Sequence, residues 1–423
     1  MRRLMFVTQT HTAWGGMEWF VHHMAERLSD RGWEVYAGLA RGARYSDPAA
    51  YSAAHPHLRA IEMDGRDGTE TARRNAVVRA VRRVDPEVVI PIGIGSSLDA
   101  MRVLKNTGFR GALVVPVLSL FEDWLANVSE YGDVIDLVVP NSRLLERYLV
   151  RHFDASRVRY IRQGVPRATQ ARSPRREKLH AGIVSRLEES SKRVLDFAAV
   201  ARLLNGADVE LHVFGDGPDR GRLLDALDGR AVDHGFLPTA ELYREAYPHL
   251  DVLLFFSPTE GSPNSLYEAM QNGVVPVSSR FRGARAEGIL KDGENALLFD
   301  VGDSATAAQH TRLLASDRAR LERMSAATVE SVRDYSDDDM YESWARAIES
   351  VRPVAGPPLP PRPVAPAGKL ERARIPSLLA RPLRRIIGRA SPHKSGWEEW
   401  PGSQPVSSDA VLRIREELNE LER

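Results

Sequence analysis

The sequence predicts an α/β protein of two Rossmann-like units, each a doubly wound parallel sheet, followed by a C-terminal extension. Three observations carry that reading. Short apolar runs alternate with helix-period segments along most of the chain, the pattern of parallel strands covered by helices on both faces. The alternation starts afresh at Leu179 after a polar stretch over 167–178, and 423 residues suffice for two cores. A proline-rich stretch then separates the last helix pattern from a basic tail.

The first unit, 1–166, opens on an apolar strand at 4–8. Gly15 and Gly16 follow it, and a helix pattern over 19–30 puts Phe20, Val21, Met24 and Leu28 on one face. A glycine pair between a strand and its helix lets backbone amides approach a phosphate, although a plain tight turn is spelled the same way. The third glycine of the dinucleotide fingerprint is missing, which counts against an NAD enzyme. A strand at 33–39 comes next, and the stretch 42–69 offers no readable code for an acceptor. Helix 70–83, strand 87–92, helix 97–106, strands 112–118 and 137–139 and helix 142–152 continue the alternation, punctuated by Asp85-Pro86 and Pro140-Asn141.

The second unit, 179–335, begins with a strand at 180–185 and a helix ending near 204, with Arg186 and Lys192 between. By themselves these are two solvated basic residues flanking a helix start. Strand 209–214 meets the turn Gly215-Asp-Gly-Pro. Helix 220–227, strand 232–237 and helix 239–246 lead to the densest stretch, 257–273, between apolar runs at 252–256 and 274–277. Ser262 suits an N-cap and Pro263 the first helical position, so a helix is expected over 263–272, stopping at Gly273. Leu266, Ala269 and Met270 share a core-facing stripe, while Ser265, Glu268 and Asn272 fall on another face. Glu260 and Glu268 thus flank a helix N-terminus that favours anions, but two glutamates alone read equally as solvated side chains. Strand 296–299 and helices 304–316 and 318–332 complete the unit. Asp337, Asp338 and Asp339 cap a last helix, 340–351, within a segment 336–351 expected to cross back onto the first unit.

Composition narrows the classes. At 43% hydrophobic and 27% charged the chain reads as soluble and globular, and the absence of cysteine excludes disulfides, a thiol nucleophile and cysteine-ligated zinc. No apolar run approaches the roughly 20 residues of a membrane span, and the start is too short to be a signal peptide, so a cytoplasmic protein is expected. A net charge of +1 argues against a general nucleic-acid binder. The twelve histidines are scattered, with His22 and His23 expected on a surface helix.

The string Glu260-Gly-Ser-Pro-Asn-Ser-Leu-Tyr-Glu268-Ala-Met, followed by Gly273-Val-Val-Pro-Val, resembles the signature of the retaining, nucleotide-sugar-dependent glycosyltransferases of family 4, which have the GT-B fold. The resemblance implies that Glu260 faces the donor hexose. It implies that the backbone of Gly261, Ser262, Pro263, Asn264, Ser265 and Leu266 meets hexose and diphosphate, and that Glu268 accepts bonds from the ribose hydroxyls. The residue types suit these roles, since an ionised carboxylate only accepts and can take two vicinal hydroxyls at once. Arg186-Leu-Glu-Glu-Ser-Ser-Lys192 resembles the family's Gly-Arg-Leu-x-x-x-Lys-Gly, with Ser185 and Arg193 where glycines are common. Arg186 and Lys192 are then the cations that, with Glu260, serve catalysis, because the leaving nucleoside diphosphate gains charge as the glycosidic bond breaks. Gly15 and Gly16 resemble the family's Gly-Gly-x-Glu that closes over the diphosphate, and backbone near Phe236 and Leu237 is implied to meet the base.

What the resemblance implies is a hexosyltransferase that uses a UDP- or GDP-sugar and a glycan, glycolipid or other hydroxyl acceptor, with no cofactor and no metal. The only candidate for the Asp-x-Asp of metal-dependent enzymes lies at 337–339, in a helix start. One departure stands out. The family often places a histidine after the strand that here ends Val117-Leu118, and this chain has Ser119-Leu-Phe-Glu-Asp. Ser119, Glu122 or Asp123 would have to substitute by hydrogen bonding, or activity is weakened or lost. A catalytically silent nucleotide-sugar-binding or assembly subunit, and a UDP-sugar epimerase of the same fold, therefore stay open.

The resemblance stops at the tail. Residues 352–368 hold seven prolines in seventeen and are expected to form an extended spacer. In 369–423, Arg374, Arg381, Arg384, Arg385 and Arg389 interleave with Ile375, Leu378, Leu379, Leu383, Ile386 and Ile387, a basic amphipathic pattern that Pro382 would kink. It suits an anionic membrane surface, or docking on the protein itself or on a partner. A final helix, 409–422, carries Val411, Ile414, Leu418 and Leu421 as a pairing surface.

Overall fold

The computed structural model describes residues 2–9, 16–40, 48–65, 70–168, 177–354, 375, 379 and 400–423. Gly15, most of the linker 167–178, most of the proline-rich stretch and, apart from Ile375 and Leu379, the basic segment 374–389 lie outside the described residues.

The first unit runs β1 (Arg2–Gln9), α1 (Gly16–Asp30), β2 (Trp33–Ala40), α2 (Pro48–Ala54), β3 (Arg59–Met63), α3 (Glu70–Val84), β4 (Val88–Pro91), α4 (Ser96–Asn106), β5 (Ala112–Val117), α5 (Glu122–Glu130), β6 (Leu137–Pro140) and α6 (Arg143–His152). Its strands form one parallel sheet in the order β3-β2-β1-β4-β5-β6. The second unit runs β7 (Leu179–Val184), α7 (Glu189–Lys192), α8 (Leu195–Leu203), β8 (Val209–Phe214), α9 (Arg220–Leu227), β9 (Val232–Gly235), α10 (Thr239–Glu241), β10 (Val252–Phe255), α11 (Asn264–Gln271), β11 (Val275–Ser279), α12 (Ala284–Glu287), β12 (Leu297–Phe299), α13 (Ser304–Ser316) and α14 (Arg318–Ser331). Its sheet, also parallel, has the order β12-β11-β10-β7-β8-β9. α15 (Asp337–Ser350) and α16 (Ser408–Glu422) follow.

Both sheets are buried on two faces, which is why their strands read as apolar runs without alternation. In the first unit α3, α4, α5 and α6 cover one face, and α1 and α15 the other. Trp344 of α15 meets Phe20 of α1 edge to face, with ring centroids 5.0 Å apart. Each sheet reverses direction about its first strand. The switch points fall between β1 and β4 and between β7 and β10, and in such sheets ligands gather at the carboxyl ends of the strands on either side.

Several expectations shift. The unread stretch 42–69 contains α2 and the edge strand β3. A short helix, α7, precedes the helix expected to end near residue 204, and the chain turns between α7 and α8 at Arg193, whose φ of 49° is left-handed. That is a position suited to glycine, and the Arg193 guanidinium bonds the Asp196 carboxylate two residues into the next helix. The aspartates at 337–339 are inside the first turn of α15, whose N-cap is Ser336. His22 and His23 are half-buried rather than on an open surface: His22 Nδ1 lies 3.2 Å from His55 Nδ1, and the His23 ring packs 5.6 Å from that of Tyr341.

The last described segment returns to the first unit. Trp400 is 2% exposed, and the Pro401 carbonyl accepts from the Gly95 amide at 3.0 Å. Gln404 is held by the Asn127 side chain and by the Tyr131 hydroxyl at 2.9 Å. Residues 400–404 thus lie beyond the carboxyl end of β4, and α16 packs on α5 and α6 through Ile414 and Leu418. The apolar face read on the last helix is covered by the chain itself. Among the described residues no helix is long and apolar enough to cross a membrane.

Candidate active site

The loops after β7 and β10, the two strands at the second switch point, carry the residues singled out from the sequence. After β7 the chain makes the short helix α7. Its position is fixed from the neighbouring strand, since Leu187 N donates to the Asp216 carbonyl, Asp219 N to the Leu187 carbonyl, and Glu189 N to the Asp219 carboxylate, all at 2.9–3.0 Å. Gly215, with φ of 140°, makes this approach possible, because any Cβ there would run into the Ser185 carbonyl. Lys192 ends α7, and its ammonium lies 2.5 Å from Glu260 Oε1. Arg186 is further out: its side chain is 53% exposed and its nearest carboxylate is Glu188, at 3.8 Å.

After β10, Glu260 is held in place by a second loop, its amide donating to the Arg282 carbonyl at 3.1 Å beside a bridge between Thr259 and Arg282. α11 starts at Asn264, one residue later than expected, with Pro263 in extended conformation as its N-cap. Ser262 does not cap it. Its hydroxyl instead donates to the Asn141 carbonyl of the first unit at 2.7 Å, so the side chain that would serve the helix ties the two units together. Gly261 stands at the same crossing, where a Cβ would come 2.6 Å from the Leu118 carbonyl. Ser265 and Leu266 form the first turn of α11, with Leu266 in the core.

Glu268 corrects the amphipathic reading. It is 8% exposed, and α11 is buried from Leu266 to Gln271 on every side. Burial pushes the carboxyl up to about 7, while a hydrogen bond from the Tyr247 hydroxyl, at 2.7 Å, favours its ionised form. Gly16 is the first residue of α1. Phe236, beyond β9, is exposed.

The structure adds residues the sequence did not offer. Tyr247 is one. Asn141, 6% exposed, is another: its Oδ1 has no hydrogen-bond partner among the described residues and faces Gly261. Between the units Glu122 accepts from Arg282 at 3.1 Å and from Arg415 of α16 at 3.0 Å. Asp123 bonds Ser403. Of the three candidates to replace the missing histidine, two are therefore engaged in joining elements, and Ser119, half-buried after β5, is the third. Glu287 in α12 accepts from the Arg143 amide, and its carboxyl is pushed by burial up to about 7.

Comparisons with known proteins bear on the fold and on the second unit. Residues 178–317 match the family model described as glycosyl transferases group 1, so the second unit carries that group's sequence pattern. No curated protein matches the chain. Among solved structures, the apo form of the lipopolysaccharide outer core galactosyltransferase WaaB is similar, with a TM-score of 0.65 at 19% identity over 82% of this chain and 99% of the other. Sucrose-phosphate synthase from Thermosynechococcus elongatus gives a TM-score of 0.69 at 16% identity, over 82% and 98%. Anabaena HepE in complex with UDP gives 0.64 at 17% identity, over 83% and 100%. The fold is the GT-B arrangement of two Rossmann-like units.

Proposed function

We propose that the protein is a retaining hexosyltransferase of the family 4 type, moving a hexose from a UDP- or GDP-sugar to a hydroxyl of a glycan or glycolipid. The observation that carries this reading is the convergence of Lys192 and Glu260 at the second switch point, beside the N-terminus of α11, the helix whose second turn holds the buried Glu268. On this reading Glu268, as carboxylate, accepts the two ribose hydroxyls, and the amides at the start of α11 meet the diphosphate. Lys192 and Arg186 stabilise the charge that grows on the diphosphate as the bond to the sugar breaks, and Glu260 orients the hexose. The acceptor oxygen bonds to the anomeric carbon on the face the diphosphate leaves, and the hydroxyl proton passes to the departing phosphate. This route needs no protein nucleophile and, on the residues assigned, no metal.

The test is incubation with a panel of nucleotide sugars, following UDP or GDP release with and without glycan acceptors. Acceptor-dependent release supports the reading. Tight donor binding without release under any condition would overturn it in favour of a silent subunit, and a sugar isomer formed without acceptor in favour of an epimerase. Glu268→Ala should weaken nucleotide binding, whereas Glu260→Ala should mainly lower kcat, by about 10²-fold to 10³-fold if it matches the loss of one transition-state contact. The basic segment 374–389 is proposed to add an anionic membrane surface as a partner. Flotation with phosphatidylserine vesicles should then carry the full chain but not a chain ending at Val351, and equal behaviour of the two would remove that partner.

A further inference from the structure

Three histidines stand side by side on the second sheet, away from the proposed active site. Side chains two apart on a strand share a face, so His180 and Gly182 of β7 lie on the same face as Glu210, His212 and Phe214 of β8. In the parallel register His180 pairs with Glu210 and Gly182 with His212. Because Gly182 has no side chain, the His212 ring can lean toward His180, and the two rings stack with centroids 5.1 Å apart. His212 Nε2 then lies 2.9 Å from His180 Nδ1 and 3.7 Å from Glu210 Oε1, and the three ligand atoms all fall within 4.8 Å of one another. On its other side, His212 Nδ1 lies 3.1 Å from Nε2 of His234 on β9.

We propose that His180, His212 and Glu210 form a binding site for one divalent transition-metal ion, with zinc as the reference case. Zinc bonds imidazole nitrogen at about 2.0–2.1 Å and carboxylate oxygen at about 2.0–2.2 Å, so tetrahedral ligand atoms stand roughly 3.3–3.4 Å apart. The separations of 2.9 and 3.7 Å bracket that value, and small side-chain rotations equalise them. Two imidazoles and one carboxylate are a donor set suited to zinc, nickel or copper rather than to magnesium or calcium.

The neighbouring ring gives the ligating His212 a partner for its second nitrogen. A ligating histidine donates its second N–H to a neighbour that fixes the ring. If His212 Nε2 takes the metal, its proton sits on Nδ1 and is donated to His234 Nε2. His234 Nε2, 3.1 Å away, is placed to accept that proton. His234 is itself held by stacking on Phe214, with centroids 4.3 Å apart. The two ligating histidines are buried, while the Glu210 side chain is 43% exposed and gives the ion its route from solvent.

His180 is the second residue of β7, and Lys192 follows the far end of that strand, so the ion would tie β7 to β8 rather than act in sugar transfer. This inference is independent of the proposed enzymatic reading. Metal-stripped full-length protein is titrated with zinc in competition with a chromophoric chelator, and the visible spectrum is recorded with cobalt. The expected result is one saturable equivalent, an intense tetrahedral cobalt spectrum, and a Tm raised by several degrees at a hundredfold excess over Kd. Glu210→Gln and His180→Gln should lose the equivalent, and His152→Gln, outside the cluster, should keep it. His234→Phe, which preserves the stack on Phe214, should lower affinity about 10-fold to 100-fold. If wild-type protein takes up no such equivalent, or Glu210→Gln and His180→Gln both retain it, the histidines are only a stacked row of rings in contact and the proposal fails. Should His180→Gln not fold, the half-exposed Glu210→Gln decides alone.

Discussion

Glu268 is where burial and the proposed chemistry pull in opposite directions. Ribose recognition needs the carboxylate, yet desolvation lifts its pKa from 4.5 to about 7. The folded state therefore holds a proton that the unfolded chain has released between those values. Stability from this group is fully present below about pH 4.5 and is lost as pH rises to about 7, a difference on the order of 3 kcal/mol. Glu287 contributes in the same direction. Urea unfolding should accordingly show stability falling from pH 5 to pH 7.5, and Glu268→Gln should flatten that fall; an unchanged profile would mean the carboxyl titrates normally. Tyr247 is the counterweight, because its hydroxyl bonds the ionised form. Tyr247→Phe should move the Glu268 pKa further up, so that UDP binding measured by calorimetry at pH 7 weakens more than at pH 9. The sequence shows Glu268 as one of two motif carboxylates but not its burial, since its partner lies 21 positions away on a different helical segment. Arg193 is the reverse case: it stands where the resembled family has glycine, and the backbone there is left-handed.

Among the elements, those with strong local signals were legible and those defined by contact were not. α11 announces itself through Pro263 before it and Gly273 after it, and the buried strands through continuous apolar runs. β3 escaped because it is an edge strand, mostly half-buried or exposed, without alternation. α5 escaped because Phe121, its N-cap, makes no side-chain cap bond and no glycine or proline marks the start. The role of Ser262 differs from the expected cap for a related reason. A cap is inferred from local spacing, and nothing local reveals that the hydroxyl donates to the Asn141 carbonyl of the other unit. Gly261 gives this crossing a test. A methyl group there would meet the Leu118 carbonyl, which is backbone and cannot turn aside, so the loop before α11 must back away from the first unit. Gly261→Ala should leave the Tm within about 2 °C yet lower kcat/KM at least tenfold, and limited proteolysis should cut faster at the interunit loops. Wild-type turnover in this variant would show that the close approach has no part in function.

The whole molecule is joined by more than its two chain crossings. Glu122 of the first unit accepts both from Arg282 of the second and from Arg415 of α16, and the Glu422 carboxylate accepts from the Arg285 amide at 3.1 Å. The C-terminal segment therefore fastens one unit to the other. It also lies beyond the carboxyl end of β4, next to the first switch point, where ligands of such sheets gather and where, on the proposed function, the acceptor would sit. These two positions predict different losses when residues 400–423 are removed. Burial of Trp400 alone is worth about 3–5 kcal/mol by comparison with other large aromatic truncations, so the shortened chain should unfold at least several degrees lower by calorimetry. Donor chemistry should survive, because the bonds that anchor Pro401 and Gln404 go to Gly95, Asn127 and Tyr131 of the first unit. Release of UDP to water should thus persist below the new Tm, while the KM for a glycan acceptor or the range of acceptors used changes. If instead hydrolysis and transfer fall together by the same factor, the segment acts only by holding the units in register, and its place beside the first switch point has no bearing on acceptor choice.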